Sequence, residues 1–276
     1  MKIGFIGTGT ITTAVVTGLL RGGDVPFRVV VSPRSPDRAA LLASSFQEVE
    51  VAPDNQGVID QCDIVCIAVR PQIATDVLAE LSFPESTTVI SFIATYSVDE
   101  VRSMVAPASR VFRMGPIPSV ERGLGPVILY PDDPELRTFF DPIGTLVAAE
   151  SEAQLSAFWA VTAMMAPFFG LLDSTSEWLR RHGIAPAQAD AYVGALFHSL
   201  SDTALSVHGE GFGEMAIEHA TRGGLNEQLL RELRAANWLN LPADGLSLIL
   251  DRLEGRADLE DGLESGSRKS AGTSAG

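Results

Sequence analysis

The chain has 276 residues, 46% of them hydrophobic, and a formal net charge of -15 at pH 7, which is enough material for a substantial core and two domains. That charge excludes a surface built for nucleic acid or for an anionic membrane, because either polyanion would be repelled overall. The two cysteines, Cys62 and Cys66, are too far apart along one strand-like run for a disulfide and have no partners at metal-ligand spacing, so they read as buried thiols of a reducing compartment, the cytoplasm.

The first element carries the most information. Ile3, Phe5 and Ile6 around Gly4 read as a buried strand, Gly7-Thr8-Gly9 as a tight turn, and Thr10 to Leu20 as a helix with apolar residues at helical spacing. Gly7 permits the turn, Gly9 lets a phosphate approach the backbone, and the unpaired N–H groups of Thr10 and Ile11 open the helix at its positive end, which is the arrangement that holds a dinucleotide pyrophosphate. The third position of the glycine fingerprint is Thr12, which predicts slightly looser packing of helix on strand. Phe27 to Val31 reads as the second strand. It runs into Ser32-Pro33-Arg34-Ser35 at the place where an NAD site carries a carboxylate. A hydroxyl and a guanidinium in its stead suit a 2′-phosphate, so Ser32 and Arg34 point to NADP(H), with NAD(H) as the second cofactor such a site would admit.

Alternating strands and helices continue from there. Ile64–Val69, Thr88–Ile93, Arg110–Met114 and Pro126–Tyr130 read as strands, and Ala39–Phe46, Ala74–Leu81, Val98–Val105 and Pro134–Leu146 as helices. The pattern predicts an α/β fold with a mostly parallel sheet covered on both faces: a Rossmann-type dinucleotide-binding domain over residues 1–150. From Ser151 the strand signal ends. Glu152–Arg181, Pro186–His208, Glu214–Ala220, Asn226–Asn237 and Ala243–Leu253 predict an all-α domain over residues 151–257 whose helices, apolar on more than one face, require a covering surface, which a second copy of the chain would supply. The acidic run from Asp258 and the small, polar tail to residue 276 are expected to be solvated and disordered. The N-terminus lacks a signal-peptide pattern, and no uninterrupted apolar segment is read as long enough to span a membrane, so no membrane partner is expected. His182, His198, His208 and His219 fall into no metal-binding spacing, and no metal is expected.

Several stretches beyond the glycine turn resemble the pyrroline-5-carboxylate reductase family. Asp63 to Gln72, with Ala68-Val69-Arg70-Pro71, is similar to the family strand that borders the nicotinamide ribose. Val89 to Ala94, Arg113 to Pro118 and Thr221-Arg222-Gly223-Gly224-Leu225-Asn226 stand where three further family segments lie. The resemblance implies a homodimer through the helical domain and hydride transfer to the C=N carbon of a cyclic imine. It implies substrate contacts at Gly223, Gly224 and Leu225, and it gives Thr162 and Asn226, the latter in place of a family threonine, the catalytic places; Arg222 replaces a family proline, and its guanidinium could reach an anionic group of the substrate. The chain departs from the family at Thr162 to Phe168, where a glycine-rich turn would bind the substrate carboxylate through backbone N–H groups and where Met164 and Met165 now stand. The readings are therefore an NADP-dependent reductase of 1-pyrroline-5-carboxylate or a related cyclic imine, a reductase of a less polar imine or ketone, and an NADP(H)-binding sensor without turnover.

Overall fold

The computed structural model describes residues 1–206 and 211–257; His208, the acidic run and the tail lie outside them. The first part of the chain forms an eight-stranded sheet in the order β3-β2-β1-β4-β5-β6-β7-β8. Its strands are β1 (Lys2–Ile6), β2 (Arg28–Val31), β3 (Val49–Val51), β4 (Ile64–Ile67), β5 (Thr88–Ser91), β6 (Arg110–Gly115), β7 (Pro126–Tyr130) and β8 (Thr145–Ala148). All neighbours are parallel except β6 and β7. Between them lie α1 (Thr10–Leu20), α2 (Pro36–Ser45), α3 (Asn55–Ile59), α4 (Pro71–Ala79), α5 (Val98–Met104) and α6 (Pro134–Phe140).

The parity of β1 shows how the two layers are built, since alternate residues of a strand face opposite sides of the sheet. Ile3 and Phe5 enter the core that also holds Val15, Val16, Leu19 and Met114. Ile6 enters the opposite core, with Val58, Ile59, Val65 and Leu78. Gly4 shares the second face, and a Cβ there would come within 2.5 Å of Val58 and 2.9 Å of the Cys62 sulfur. The missing side chain is what lets α3 lie close against β1. On the first face, a Cβ at Gly18 would meet the Val120 carbonyl oxygen at 2.2 Å, so α1 seats directly on the 3-10 turn Pro118–Arg122.

Three elements differ from the sequence reading. β3 and α3 are too short, at three and five residues, to show a periodicity. The helix expected over Pro134–Leu146 stops at Phe140, passes through a 3-10 turn at Asp141–Ile143 and becomes strand β8, because Pro142 breaks the helix and Gly144 turns the chain at φ 152.

The chain divides into two compact units, Met1–Ala160 together with Leu250 onward, and Val161–Ile249. Helices α7 (Glu152–Val161) and α8 (Met165–Arg181) are joined by a 3-10 turn, Thr162–Met164. The second unit continues with α9 (Pro186–Ser206), α10 (Phe212–Glu218) and α11 (Leu225–Ala235), and α12 (Leu241–Leu253) runs out of it. Gly183, at φ 85, turns the chain between α8 and α9, and Arg180 bridges the pair by donating to Asp190 at 2.7 Å. Few side chains of this unit are buried, whereas Phe169 (65% exposed), Tyr192 (64%) and Leu205 (79%) lie open.

The expectation about membrane-spanning length is overturned. The continuous helix Glu152–Arg181 holds an 18-residue window of mean hydropathy 1.7, of which 17% is buried. By length and composition alone it is long and apolar enough to cross a membrane. Pro167 does not interrupt it, because it lies in the first turn of α8 where its missing N–H costs nothing. One such helix is weak evidence of a span, since core helices of soluble proteins and signal sequences pass the same test.

Both cysteines are unpaired and buried. Burial pushes the Cys62 thiol up to about 12 and the Cys66 thiol well above the usual thiol range. Since the thiolate is the reactive species, neither should react with iodoacetamide at pH 8 while the chain is folded, and both should react in denaturant. Mass spectrometry after native labelling checks this; a labelled native Cys62 would mean that its packing against Gly4 opens.

Candidate functional site

The carboxyl ends of β2, β1 and β4 lie side by side, with Phe5 paired to Val31 and Ile6 to Ile67. The chain leaves β1 between two strands that are already occupied, and Gly7 is the residue that makes the exit fit. It adopts φ 98, and a Cβ would sit 2.7 Å from the Ala68 carbonyl oxygen. Both the backbone sign and the lack of space require glycine. Gly9 is different. Nothing lies within 4 Å of the place its Cβ would take, so the space above it is open to a ligand. It stands at the N-cap of α1 without any side-chain cap, which leaves the first N–H groups of that helix available to an anion.

The turn is latched from β2. The Gly7 N–H donates to Ser32 Oγ at 2.9 Å and the Thr8 hydroxyl donates to the Ser32 carbonyl at 2.6 Å. Ser32 is fully buried. Its expected contact with a 2′-phosphate is therefore corrected: it holds the glycine turn in shape and lies below the binding surface. Thr12 also departs from expectation. It is fully buried and its hydroxyl donates to the Gly7 carbonyl at 2.6 Å, so it ties helix to turn where looser packing was predicted.

Arg34 lies exposed after β2. One turn into α2, Arg38 donates to the Thr10 hydroxyl at 2.8 Å, which stations a second guanidinium between the end of β2 and the opening of α1. The sequence reading missed Arg38; the signal was Ser35-Pro36, a helix start that puts residue 38 in the first turn. Ile11 packs its side chain on the core, so only its backbone faces the turn. Ala68 donates its N–H to the Ile6 carbonyl at 2.8 Å. Val69 is buried, Arg70 is the exposed N-cap of α4, and Pro71 is its first residue. The structure thus brings Gly7, Gly9, Thr10 and Ile11 together with Ala68 on one side and Arg34 on the other.

The residues expected at the substrate end lie in the second unit. Thr162 begins the 3-10 turn, and its carbonyl accepts the Met165 N–H. Pro167 has no N–H to offer. The run is helix from end to end, so the cluster of outward N–H groups that a carboxylate would need is absent there. Thr162, to which the resemblance gives a catalytic place, therefore stands at the start of a helical turn. Met164, Pro167 and Phe168 instead form one wall of an apolar cleft of about 640 Å³ between α8 and α12, with Trp238, Leu246 and Ile249 opposite. Gly223 stands at φ 75 and donates its N–H to Glu227 at 2.6 Å, while the Asn226 side-chain amide donates to the His219 carbonyl at 3.1 Å. Asn226 is thereby engaged in tying the end of α10 to the start of α11. Gly224 caps α11, and Arg222 and Leu225 are exposed. Among the described residues no group of three or more His, Cys, Asp or Glu side chains gathers as a metal site.

Replacing Ser32 by alanine would leave the Gly7 N–H without its acceptor in a buried place. We expect Ser32→Ala to lose about 1–3 kcal/mol of stability and to weaken nucleotide binding, measured by thermal unfolding with and without NADPH; unchanged values for both would mean that the latch does not shape the turn.

Residues 2–95 match the family described as NADP oxidoreductase, coenzyme F420-dependent. Over 118 residues the chain is 33% identical to pyrroline-5-carboxylate reductase of Escherichia coli, covering 42% of this chain and 44% of that one. It is 30% identical to pyrroline-5-carboxylate reductase 3 of Rattus norvegicus over 42% of each. The matched part spans less than half the length of these curated relatives. In fold, it is similar to 1-pyrroline-5-carboxylate reductase from Streptococcus pyogenes, with TM-score 0.80, 22% identity and coverage of 92% of this chain and 98% of that one. It is likewise similar to pyrroline carboxylate reductase of Plasmodium falciparum solved with NADP bound, with TM-score 0.79 and 14% identity over 94% and 100%. With a Rossmann-type sheet followed by a helical domain, the chain shares the fold of these pyrroline-5-carboxylate reductases.

Proposed function

We propose that the chain is an NADP(H)-dependent reductase of a C=N bond. The observation that carries this is the glycine turn latched by Ser32, with Arg34 and Arg38 rather than a carboxylate beyond the end of β2. The turn and the opening of α1 would take the pyrophosphate. The two arginines would take the 2′-phosphate, whose charge and three acceptor oxygens suit paired guanidinium forks. The other half of the dinucleotide would then run past Ala68 to Pro71 toward β5. The NADP-bound relative from Plasmodium falciparum supports the same cofactor. When bound, the reduced nicotinamide supplies the hydride; the protein supplies its placement and a dry wall around the imine.

The substrate end favours a cyclic imine without a carboxylate over 1-pyrroline-5-carboxylate itself. The helical run at 162–168 offers no N–H cluster, and the cleft beside it is walled by apolar side chains. Arg222, exposed before Gly223, is the remaining group of this segment able to meet an anionic substrate. The exposed apolar faces of α8, α9 and α12 support assembly through the helical unit, a second copy covering the helix Glu152–Arg181. Two buried, unpaired cysteines fit a reducing, cytoplasmic setting.

Two measurements test this reading. Arg34→Asp and Arg38→Ala should each weaken NADPH by about tenfold or more while leaving NADH nearly unchanged; an equal loss for both cofactors would remove the arginines from 2′-phosphate recognition. NADPH oxidation should be faster, in kcat/KM, with uncharged cyclic imines than with 1-pyrroline-5-carboxylate. The reverse order would show that an acid is held by another route, and silence with every imine despite NADPH binding would favour a sensor.

A further inference from the structure

A charge pair with a buried arginine and a half-buried glutamate lies toward the other edge of the sheet from the arginines just described. Arg113, in β6, is 2% exposed. One of its terminal nitrogens donates to Glu152 Oε2 at 2.5 Å, the other donates to the Ala94 carbonyl at 2.7 Å, and its Cζ lies 5.1 Å from the Trp159 ring centre. Its Nε is buried with no hydrogen-bond partner. Glu152, the first residue of α7, uses its second oxygen to accept the Val98 N–H at 2.6 Å. Burial pushes the Arg113 guanidinium below its ordinary range, and the charge of Glu152 opposes that shift. Desolvating the guanidinium is costly, the half-buried carboxylate offsets that cost in part, and an unpaired buried N–H adds to it. What such a pair does add is one fixed geometry.

The geometry it fixes is that of the loop between β5 and α5, residues 92–97. The pair grips Ala94 in the middle of this loop and Val98 just after it. Between these two, the Tyr96 hydroxyl donates to the Pro71 carbonyl at 3.3 Å and lies 3.3 Å from the Thr75 hydroxyl. Pro71 opens α4, directly after Ala68 to Arg70. A continuous set of contacts therefore leads from Glu152 through Arg113, Ala94 and Tyr96 to the segment along which the reactive half of the dinucleotide would run. The adenosine half, at Arg34 and Arg38, is untouched by it.

We propose that Arg113 and Glu152 are positioning residues for the nicotinamide end of the cofactor, acting through the 92–97 loop and the Tyr96–Pro71 contact. This rests on the NADP(H) reading above. It predicts that the two halves of the cofactor respond differently to the same substitutions.

The experiment compares NADPH with 2′,5′-ADP, which carries only the adenosine half, as ligands of the wild-type chain and of Glu152→Gln, Tyr96→Phe and the double variant. Binding is followed by calorimetry and folding by thermal unfolding. Each single change should weaken NADPH about five- to tenfold and leave 2′,5′-ADP within about twofold. The double variant should bind NADPH about as the weaker single variant does, because both changes cut one chain of contacts. Tyr96→Phe removes only a hydroxyl from a half-buried ring, so it reports even where Glu152→Gln folds poorly. Unchanged NADPH binding in Tyr96→Phe, or equal losses for both ligands, would overturn the positioning role while leaving the cofactor assignment standing. A wild-type chain that binds neither ligand would overturn both.

Discussion

The fit of Gly7 between two strands is the constraint on which the rest of the structure depends. At φ 98, and with a Cβ excluded by the Ala68 carbonyl, the residue fixes where the backbone goes after β1, and the Ser32 and Thr12 hydrogen bonds hold it there from β2 and α1. Once that exit is set, α1 starts at Thr10 with its open N–H groups over the end of the sheet. α2 can bring Arg38 onto Thr10, and the end of β4 must pass alongside. The turn proposed to take the pyrophosphate is thus a consequence of strand order and one achiral residue, supported by the buried hydroxyls of Ser32 and Thr12.

The second unit poses a different physical problem. Its helices cannot bury their apolar residues within the described chain, and the helix Glu152–Arg181 is the extreme case. Such a surface is costly in water, and covering it is what the proposed assembly through this unit would supply. The same helix sets the backbone at the segment where the resemblance places the carboxylate-binding turn. Continuing it through residues 162–168 consumes the backbone donors that a carboxylate would use and puts methionine, proline and phenylalanine on a cleft wall in their place. The turn after β1 is held by polar latches, whereas the cleft beside residues 162–168 is walled by apolar side chains.

The sheet and the glycine turn were legible because they rest on local signals: an apolar run, glycines at fixed spacing and a helical period. Strand β3 and helix α3 were too short to carry such a signal. β8 was hidden behind an apolar run that continued helical spacing past Pro142, where the breaker deserved more weight than the period. Ser32 read as a hydroxyl for the 2′-phosphate because of its place at the end of β2; its burial beneath the glycine turn shows only in the assembled sheet. Asn226 and Thr162 were placed by resemblance, and their local bonding, Asn226 to the His219 carbonyl and Met165 to the Thr162 carbonyl, is set by helix ends that a motif does not record. Arg113 read as an ordinary strand residue. Its partners Ala94 and Glu152 are distant in sequence, so the pair exists only once β5, β6 and α7 meet.

The central claim is that this turn and its two arginines select a phosphorylated dinucleotide. Calorimetric titration of the wild-type chain with NADPH and with NADH, each at low and at high salt, tests it most directly. The account predicts tighter binding of NADPH, with a preference that shrinks as salt screens the arginine–phosphate contacts. Equal affinities at low salt, or a preference for NADH, would contradict it.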